Sequence, residues 1–352
     1  MKRTLTISLL LALCLALLAG CFGSTAPTPA ASTPTPEPTT AATPEPATPA
    51  PASTPSADRP KVNLAVITGP TGIGAVKLMS DNDAGETKNA YNVTVAASPD
   101  ELTGKLVSGD LDMAALATNL ALNLYNQTEE IQLLAINTLG VLYILENGET
   151  IQSPADLKGK TIYAMGQGAN PEYVLRHLLT VNGLNPDKDV AIEFAAPDAI
   201  QAGIASGDMK VALLGMPAAM GAVMKGENTR LALSLGELWA EQIEGELAMG
   251  CIAVRKSFAA ENPQIVADFL AEYAASVTFV RENADEAAEL VAQYGITPNA
   301  AIAKASIPLC NLVCITGQDA QFTLQDYYKI LFDANPKSIG GFTPDDGFYY
   351  VP

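Results

Sequence analysis

Histidine is almost absent from this sequence, whose 352 residues contain only His177. A hydrolytic triad needs a base, usually histidine, and His177 falls in a helical pattern where a partly exposed structural side chain is the better interpretation. The dinucleotide fingerprint is also missing, because residues 69–74 read Gly-x-x-Gly-x-Gly and no Gly-Lys-Ser/Thr of a phosphate loop follows. These absences disfavour a catalytic function.

Basic residues are scarce as well. The chain has 20 Lys and Arg against 38 Asp and Glu, for a net charge of −18. Such a surface repels nucleic acid and anionic lipid headgroups, so no nucleic-acid partner is expected. Residues from about 59 to the end are numerous enough for two lobes of ordinary domain size.

The first 20 residues have the pattern of a secretory signal: Lys2 and Arg3, an apolar run, and small residues before Cys21. The run is too short and too early for an ordinary spanning helix. Leu-Ala-Gly-Cys at 18–21 resembles a bacterial lipobox, which implies cleavage before Cys21 and lipid attachment there. A plain secreted protein with a chance cysteine is the alternative. Residues 21–60 are mostly Pro, Thr, Ala and Ser, and we interpret them as an extended stalk.

Cysteine is limited to five residues. Cys14 is removed with the signal and Cys21 carries the lipid, so Cys251, Cys310 and Cys314 remain. An odd remainder in an exported protein allows at most one internal disulfide. Cys310 and Cys314 could pair if their segment is not a regular helix, and buried thiols are the alternative. No histidine or acidic cluster flanks them, so no metal site is predicted.

The folded part is organised around residues 62–79. An apolar run typical of a buried strand breaks at Gly69-Pro70-Thr71-Gly72, and an apolar helical pattern follows. The free N–H groups and the dipole of a helix start favour a polar or anionic group. Because ligands in open α/β sheets lie at the carboxyl ends of strands, we predict that this turn is one wall of a binding cleft. An ordinary strand–helix joint is the alternative.

Three more strand ends repeat this geometry, at 118–119, 166–170 and 215–217. Asn170 is predicted to cap a helix that begins at Pro171. None of the four turns carries Lys or Arg, so the expected solute is neutral or singly charged. The predicted ligand-binding residues are Thr71, Gly72, Thr118, Asn119, Gln167, Gly168, Asn170, Met216 and Pro217.

A weak internal repeat relates residues 106–116 to 204–214, because each segment has Ser-Gly-Asp between a helical pattern and a short apolar run. Two copies suggest two lobes of like plan, although chance similarity of a common joint is the alternative. We place the first lobe at 61–145 and 249–352 and the second at 146–248. The chain then crosses between lobes near 141–145 and 249–254, and such crossings are natural hinges.

The order of these features is similar to that of one protein family. Asp-Leu-Lys-Gly-Lys at 156–160 precedes a strand and a Gly-rich helix start, Gly183-Leu184 follows, and Asn262-Pro263 opens a long helix. With the lipobox and the stalk, the chain resembles substrate-binding lipoproteins of ABC importers of the nitrate/sulfonate/taurine type.

The resemblance implies an α/β, two-lobed type II periplasmic-binding-protein fold with a central cleft and two crossing hinge strands. It further implies a monomer without cofactor or metal, held outside the bacterial cell membrane by the Cys21 lipid. This protein would deliver its solute to an ABC permease and its ATPase. The solute itself does not follow, because the family binds diverse solutes. A lipoprotein that senses a ligand for a membrane partner is the second hypothesis. An enzyme of the same fold is the third, although the clustered Cys and His of the pyrimidine-making enzymes that share the fold have no match here.

Overall fold

The computed structural model describes residues 59–351 of the chain. The predicted signal, the lipid site at Cys21 and nearly all of the predicted stalk lie outside the described residues. Within 59–351, no helix has the length and apolar character needed to cross a membrane. The same residues contain no group of three or more His, Cys, Asp or Glu side chains that could hold a metal ion.

The strands form two sheets. In chain order they are β1 Lys61–Ile67, β2 Ala90–Ala96, β3 Met113–Ala117, β4 Ile131–Thr138, β5 Leu142–Asn147, β6 Thr161–Ala164, β7 Ala191–Phe194, β8 Val211–Gly215, β9 Thr229–Ser234, β10 Gly250–Arg255 and β11 Leu312–Thr316. The first sheet has the order β11-β4-β10-β3-β1-β2 and the second the order β7-β6-β8-β5-β9. Each sheet with its helices is one lobe of the mixed α/β fold.

Helices connect most of the strands. They are α1 Pro70–Ile73, α2 Val76–Ala84, α3 Asp100–Ser108, α4 Thr118–Thr128, α5 Asn170–Val181, α6 Pro197–Ser206, α7 Ala218–Lys225, α8 Leu235–Gln242, α9 Lys256–Glu261, α10 Pro263–Glu282, α11 Ala284–Gln293, α12 Ala300–Ser306 and α13 Gly317–Ala334. The strand β1 is apolar on both faces, with Val62, Leu64, Ala65 and Val66 fully buried, because helices cover both sides of a parallel sheet.

The chain crosses between the sheets twice, as the sequence predicts. It leaves the first sheet after β4 and enters the second at β5 through residues 139–141, and it returns between α8 and β10 through residues 243–249. Both crossings lie a few residues before the predicted positions, so residues 142–145 pair within the second sheet. The run 131–145 is mostly apolar, and apart from the polar pair Asn137-Thr138 and Gly140 little in it indicates where one strand ends and the next begins.

The predicted internal repeat is present in three dimensions. Ser108 ends α3 and Ser206 ends α6, and the glycine after each is left-handed, with φ of 86° and 84°. The hydroxyl of Ser108 donates to the Asp110 carboxylate at 3.0 Å, and that of Ser206 donates to the Asp208 carboxylate at 2.9 Å. Each turn feeds a buried strand, β3 or β8, so the two lobes share this joint.

The three cysteines of the folded part are free thiols. Cys251 and Cys310 are fully buried and Cys314 is half-buried. The disulfide considered between Cys310 and Cys314 is not formed, and the alternative of buried thiols describes the structure. Burial raises the pKa of Cys310 to about 12 and that of Cys314 to about 11, which keeps both protonated at neutral pH.

Candidate functional site

The carboxyl ends of the two sheets face each other. In the first sheet β1, β2 and β3 are parallel, and β3 and β4 both run antiparallel to β10, so all four end at one edge. In the second sheet β6, β7 and β8 are parallel and β9 shares their direction, because β8 and β9 both run antiparallel to β5. The short crossing 139–141 joins the end of β4 to the start of β5. Because β5 starts at the edge where β8 and β9 end, this crossing places the carboxyl edges of the two sheets opposite each other. Such an edge is where ligands bind in open α/β sheets.

Two of the four predicted turns approach each other across this cleft. Gly69 precedes α1 in the first lobe, and Pro217 precedes α7 in the second. A methyl group on Gly69 would lie 3.8 Å from the Cδ atom of Pro217. Gly69 has φ of 106°, a conformation that glycine adopts without a steric penalty. The turns at 69–72 and 215–217 therefore lie close to each other on opposite walls of the cleft.

Thr71 lies beside the first residue of β10. A Cβ atom on Gly250 would be 3.2 Å from the Cγ2 atom of Thr71 and 2.7 Å from Oδ1 of Asn137. Only a glycine fits here without displacing these side chains. The hydroxyl of Thr71 donates to the carbonyl of Ile67 at 3.2 Å and thereby fixes the turn onto the end of β1.

Asn137 and Thr138, at the end of β4, are missed by sequence reasoning. Asn137 is fully buried, and neither polar atom of its amide has a hydrogen-bond partner; the buried hydroxyl of Thr138 also has none. The buried hydroxyl of Tyr273 lies near the Asn137 amide, and burial raises the pKa of this hydroxyl. A buried polar group without a partner costs about 1–3 kcal/mol. The sequence feature that could have identified these two residues is their position as a polar pair inside an otherwise apolar run.

Thr118 and Gly72, both predicted to contact a solute, lie inside the protein. Thr118 is fully buried, and its hydroxyl donates to the carbonyl of Ala248 at 2.7 Å. This bond fixes the second crossing onto the start of α4. A Cβ atom on Gly72 would be 2.6 Å from the carbonyl oxygen of Ile67 and 2.9 Å from the Cδ1 atom of Ile296. Both residues shape the wall of the cleft.

Asn119 follows Thr118 and is half-buried. Its Nδ2 donates to the carbonyl of Ser338 at 3.4 Å, which leaves the amide oxygen of Asn119 without a protein donor among the described contacts. The carbonyl of Thr118 accepts from the hydroxyl of Tyr328 at 2.9 Å. The start of α4 is therefore held by α13 and by the segment that follows it.

The turn before α5 differs from the prediction at Asn170. The N-cap is Ala169, which has extended backbone, and Asn170 is the first helical residue, with no side-chain capping bond. The predicted capping role of Asn170 is therefore wrong by one position. Asn170 is 2% exposed, and neither Oδ1 nor Nδ2 of its amide has a partner. Gln167 and Gly168 are exposed on the same turn.

Met216 and Pro217 follow β8 and are joined by a cis peptide bond. Met216 is buried and Pro217 is half-buried. A Cβ atom on Gly215 would lie 3.8 Å from the carbonyl oxygen of Val141, so this turn also touches the first crossing. The pair supplies an apolar wall.

The segments along both facing edges contain no Lys or Arg. They are 68–75, 117–120, 139–141, 165–171, 195–197, 215–218, 234–236 and 248–250. The hydrogen-bonding groups there are neutral amides, hydroxyls and backbone N–H groups at helix starts. A multiply charged anion favours a cationic partner, so this set suits a neutral or singly charged solute.

His177 lies on α5, away from these turns. Its ring is 5.8 Å from that of Trp239, and burial lowers the pKa of the imidazole. This placement agrees with the structural interpretation of His177.

The comparisons with known proteins agree with this geometry. The family described as NMT1/THI5 like matches residues 106–287. The fold is similar to that of an ABC transporter protein from Parabacteroides distasonis, with a TM-score of 0.71 and 23% identity over 82% of this chain and 98% of that one. The periplasmic aliphatic sulphonate binding protein SsuA from Escherichia coli gives 0.67 and 14%, over 84% and 93% of the two chains.

A third similar structure is the alkanesulfonate-binding protein SsuA from Xanthomonas axonopodis pv. citri bound to MOPS, with a TM-score of 0.60 and 16% identity over 79% and 94% of the chains. No curated protein sequence matches this chain. Identities this low establish the fold alone. The predicted two-lobed periplasmic-binding fold is confirmed.

Proposed function

This chain belongs to the NMT1/THI5-like family, and we propose that it is an extracytoplasmic solute-binding protein. It captures a small neutral or singly charged organic solute between its two lobes. It then delivers that solute to an ABC permease and its ATPase. The similar structures reported above include an ABC transporter protein and a periplasmic sulphonate binding protein, which supports this role.

The observation that carries the proposal is the opposition of the two carboxyl edges, with a Cβ position on Gly69 only 3.8 Å from the Cδ atom of Pro217 across them. The lobes are connected through the crossings 139–141 and 243–249. A hinged pair of lobes closes when a solute binds the closed state better than the open one. In the closed state the solute would contact both edges at once and so hold the two lobes together.

The contacts we propose come from both lobes. Thr71 and Asn119 lie in the first lobe, Gln167, Gly168 and Asn170 in the second, and Met216 and Pro217 give an apolar wall. Thr118 and Gly72 hold the walls in place. A sulfonate carries one charge, so the ligands named for the two SsuA proteins fit a site without cations.

A thermal-shift screen tests the proposal. The panel contains alkanesulfonates, MOPS, nitrate and neutral heterocycles, with sulfate and phosphate as dianionic controls. A solute at 100 times its dissociation constant stabilises the folded state by about 2.7 kcal/mol. This corresponds to a melting shift of roughly 5–10 °C at this size. Small-angle scattering should then show compaction with the bound solute.

Tight binding of a dianion in preference to every monoanion and neutral compound would contradict the proposed chemistry. Absence of compaction at saturation would contradict closure. Chemical conversion of the bound solute would favour an enzyme instead.

The membrane anchor is proposed from Cys21, which follows the lipobox pattern at 18–20. Cys21→Ser should give an unprocessed or shed protein, measured by detergent partitioning and lipid labelling. Cys14→Ser is the matched control, because that residue lies inside the apolar run of the signal and should leave labelling intact. Equal labelling of the Cys21→Ser variant and the wild type would refute the anchor.

A further inference from the structure

The two lobes also meet at α5 and α13. The helix α13 follows β11 of the first sheet, α5 lies between β6 and β7 of the second, and the two helices are in contact. A cavity of about 540 Å³ lies between them, lined from α5 by residues such as Arg176 and from α13 by residues such as Ile330. The ring of Trp239, on α8, is 5.9 Å from that of Tyr327 on α13.

A chain of hydrogen bonds runs through this interface to the cleft. Asn335, which ends α13, donates from Nδ2 to the hydroxyl of Tyr173 on α5 at 2.7 Å. The Tyr173 hydroxyl donates to the carbonyl of Gly168 at 3.3 Å. Tyr173 is 9% exposed, and both Tyr173 and Asn335 line the cavity between the helices. One hydroxyl therefore joins the first lobe to the loop at 165–169.

The same loop is held from its other side. The N–H of Gly168 donates to Oε2 of Glu172 at 2.8 Å, and Oε1 of Glu172 accepts from Nε of Arg176 at 2.8 Å. Gly168 has φ of 71°, so its two polar backbone groups have the orientation that only a left-handed residue provides here. Both backbone groups of Gly168 are thus bonded, one through α5 alone and one through Tyr173 and α13.

We propose that Tyr173 is a positioning residue that couples the relative position of the lobes to the conformation of the loop 165–169. Movement of one lobe on the other changes the Asn335–Tyr173 bond, and the Tyr173–Gly168 bond changes with it. The loop is therefore held in one conformation by the first lobe before any solute arrives, and such preorganisation lowers the cost of binding. The inference depends on the proposed function only in treating this loop as part of the solute site.

Hydrogen exchange of the loop amides, in the intact protein without solute, tests the coupling. Tyr173→Phe keeps the ring and removes both bonds. Asn335→Asp keeps the oxygen that accepts from the N–H of Lys337, but it replaces the donor to Tyr173 with an acceptor that competes with Gly168. Each variant should speed exchange in 165–170 about fivefold, as expected for one net hydrogen bond. The double variant should exchange no faster than Tyr173→Phe, because both changes break one chain.

Tyr125→Phe is the matched control. Tyr125 is also buried, and its hydroxyl donates to Asp345 within the first lobe at 2.6 Å, so its loss should leave the loop unchanged. Fluorescence of Trp239, the only tryptophan in the chain, reports the α5–α13 interface in each variant. Fast loop exchange in Asn335→Asp, with an unchanged melting temperature, supports the coupling.

Normal loop exchange in Asn335→Asp alongside fast exchange in Tyr173→Phe would overturn it, because Tyr173 would then act within its own lobe. Equal acceleration in Tyr125→Phe would overturn it too. No solute is present, so failure here leaves the proposed function standing, and a failed solute screen leaves the coupling to be decided by this experiment.

Discussion

Asn170→Leu should make the solute-free protein more stable and its solute binding weaker. The substitution preserves the approximate size of a side chain that is 2% exposed and removes an amide whose two polar atoms have no partner. Asn170 makes no capping bond, so no helix cap is lost. The relieved desolvation is worth about 1–3 kcal/mol.

The expected rise in melting temperature is about 2–4 °C per kcal/mol for a protein of this size. If the amide bonds to the solute in the complex, its loss should weaken affinity by a similar free energy, roughly 5- to 150-fold. Calorimetric unfolding without solute measures the first effect. Titration calorimetry with the solute identified in the screen measures the second.

Asn182→Leu is the control at the other end of α5. Its Nδ2 donates to the carbonyl of Leu178 at 2.7 Å, and its amide pairs with that of Gln242. This variant should lose stability and keep its affinity. A lower melting temperature for Asn170→Leu with unchanged affinity would refute the reasoning, because the amide would then serve the fold alone.

Three further predictions follow from burial and close contacts. Burial lowers the pKa of His177 below its usual 6.5, so its contribution to stability is present above that pH and is lost as pH falls. The free energy of urea unfolding of His177→Phe should therefore depend less on pH between 7 and 5 than that of the wild type. Gly250→Ala should cost about 1–3 kcal/mol, since its Cβ would lie 2.7 Å from a side-chain oxygen, whereas Gly104→Ala on an open face of α3 should gain up to about 1 kcal/mol. At pH 8, iodoacetamide should modify Cys314 before Cys310, as measured by mass spectrometry, because Cys314 is more exposed and has the lower pKa; the reverse order would contradict the buried packing of Cys310.

The sequence predicts those parts of the fold that local signals control. The apolar run before Gly69 predicts β1 and its turn, because glycine and proline interrupt a strand recognisably. The joints at Ser108 and Ser206 are equally local, since a left-handed glycine follows each helix. The sequence does not predict the capping residue of α5 correctly. Ala169 and Asn170 differ there in backbone conformation, which residue type alone does not determine.

The candidate site is less accessible to sequence reasoning, because its contacts join distant segments. Thr118 is polar and follows a strand, yet it is buried, and its hydroxyl donates to a carbonyl 130 residues away in the sequence. Tyr173 belongs to an ordinary helical pattern, and its partner Asn335 lies 162 residues further on. Asn137 lies in an apolar run, where a polar residue alone does not distinguish a strand end from a strand interior.

Gly140 in the first crossing and Gly236 in α8 approach each other closely, and this approach bears on how the lobes move relative to each other. A Cβ atom on Gly140 would lie 2.6 Å from the Cα atom of Gly236, at the start of α8, so backbone rests on backbone with no side chain between. Because the backbones approach this closely beside the first crossing, there is no free space at this point of the hinge region. A single methyl group at Gly236, whose Cβ would be 3.2 Å from the Cα atom of Gly140, would displace the two backbones from each other. We therefore expect a methyl group at Gly236 to change the resting angle between the lobes while leaving every proposed solute-binding side chain in place.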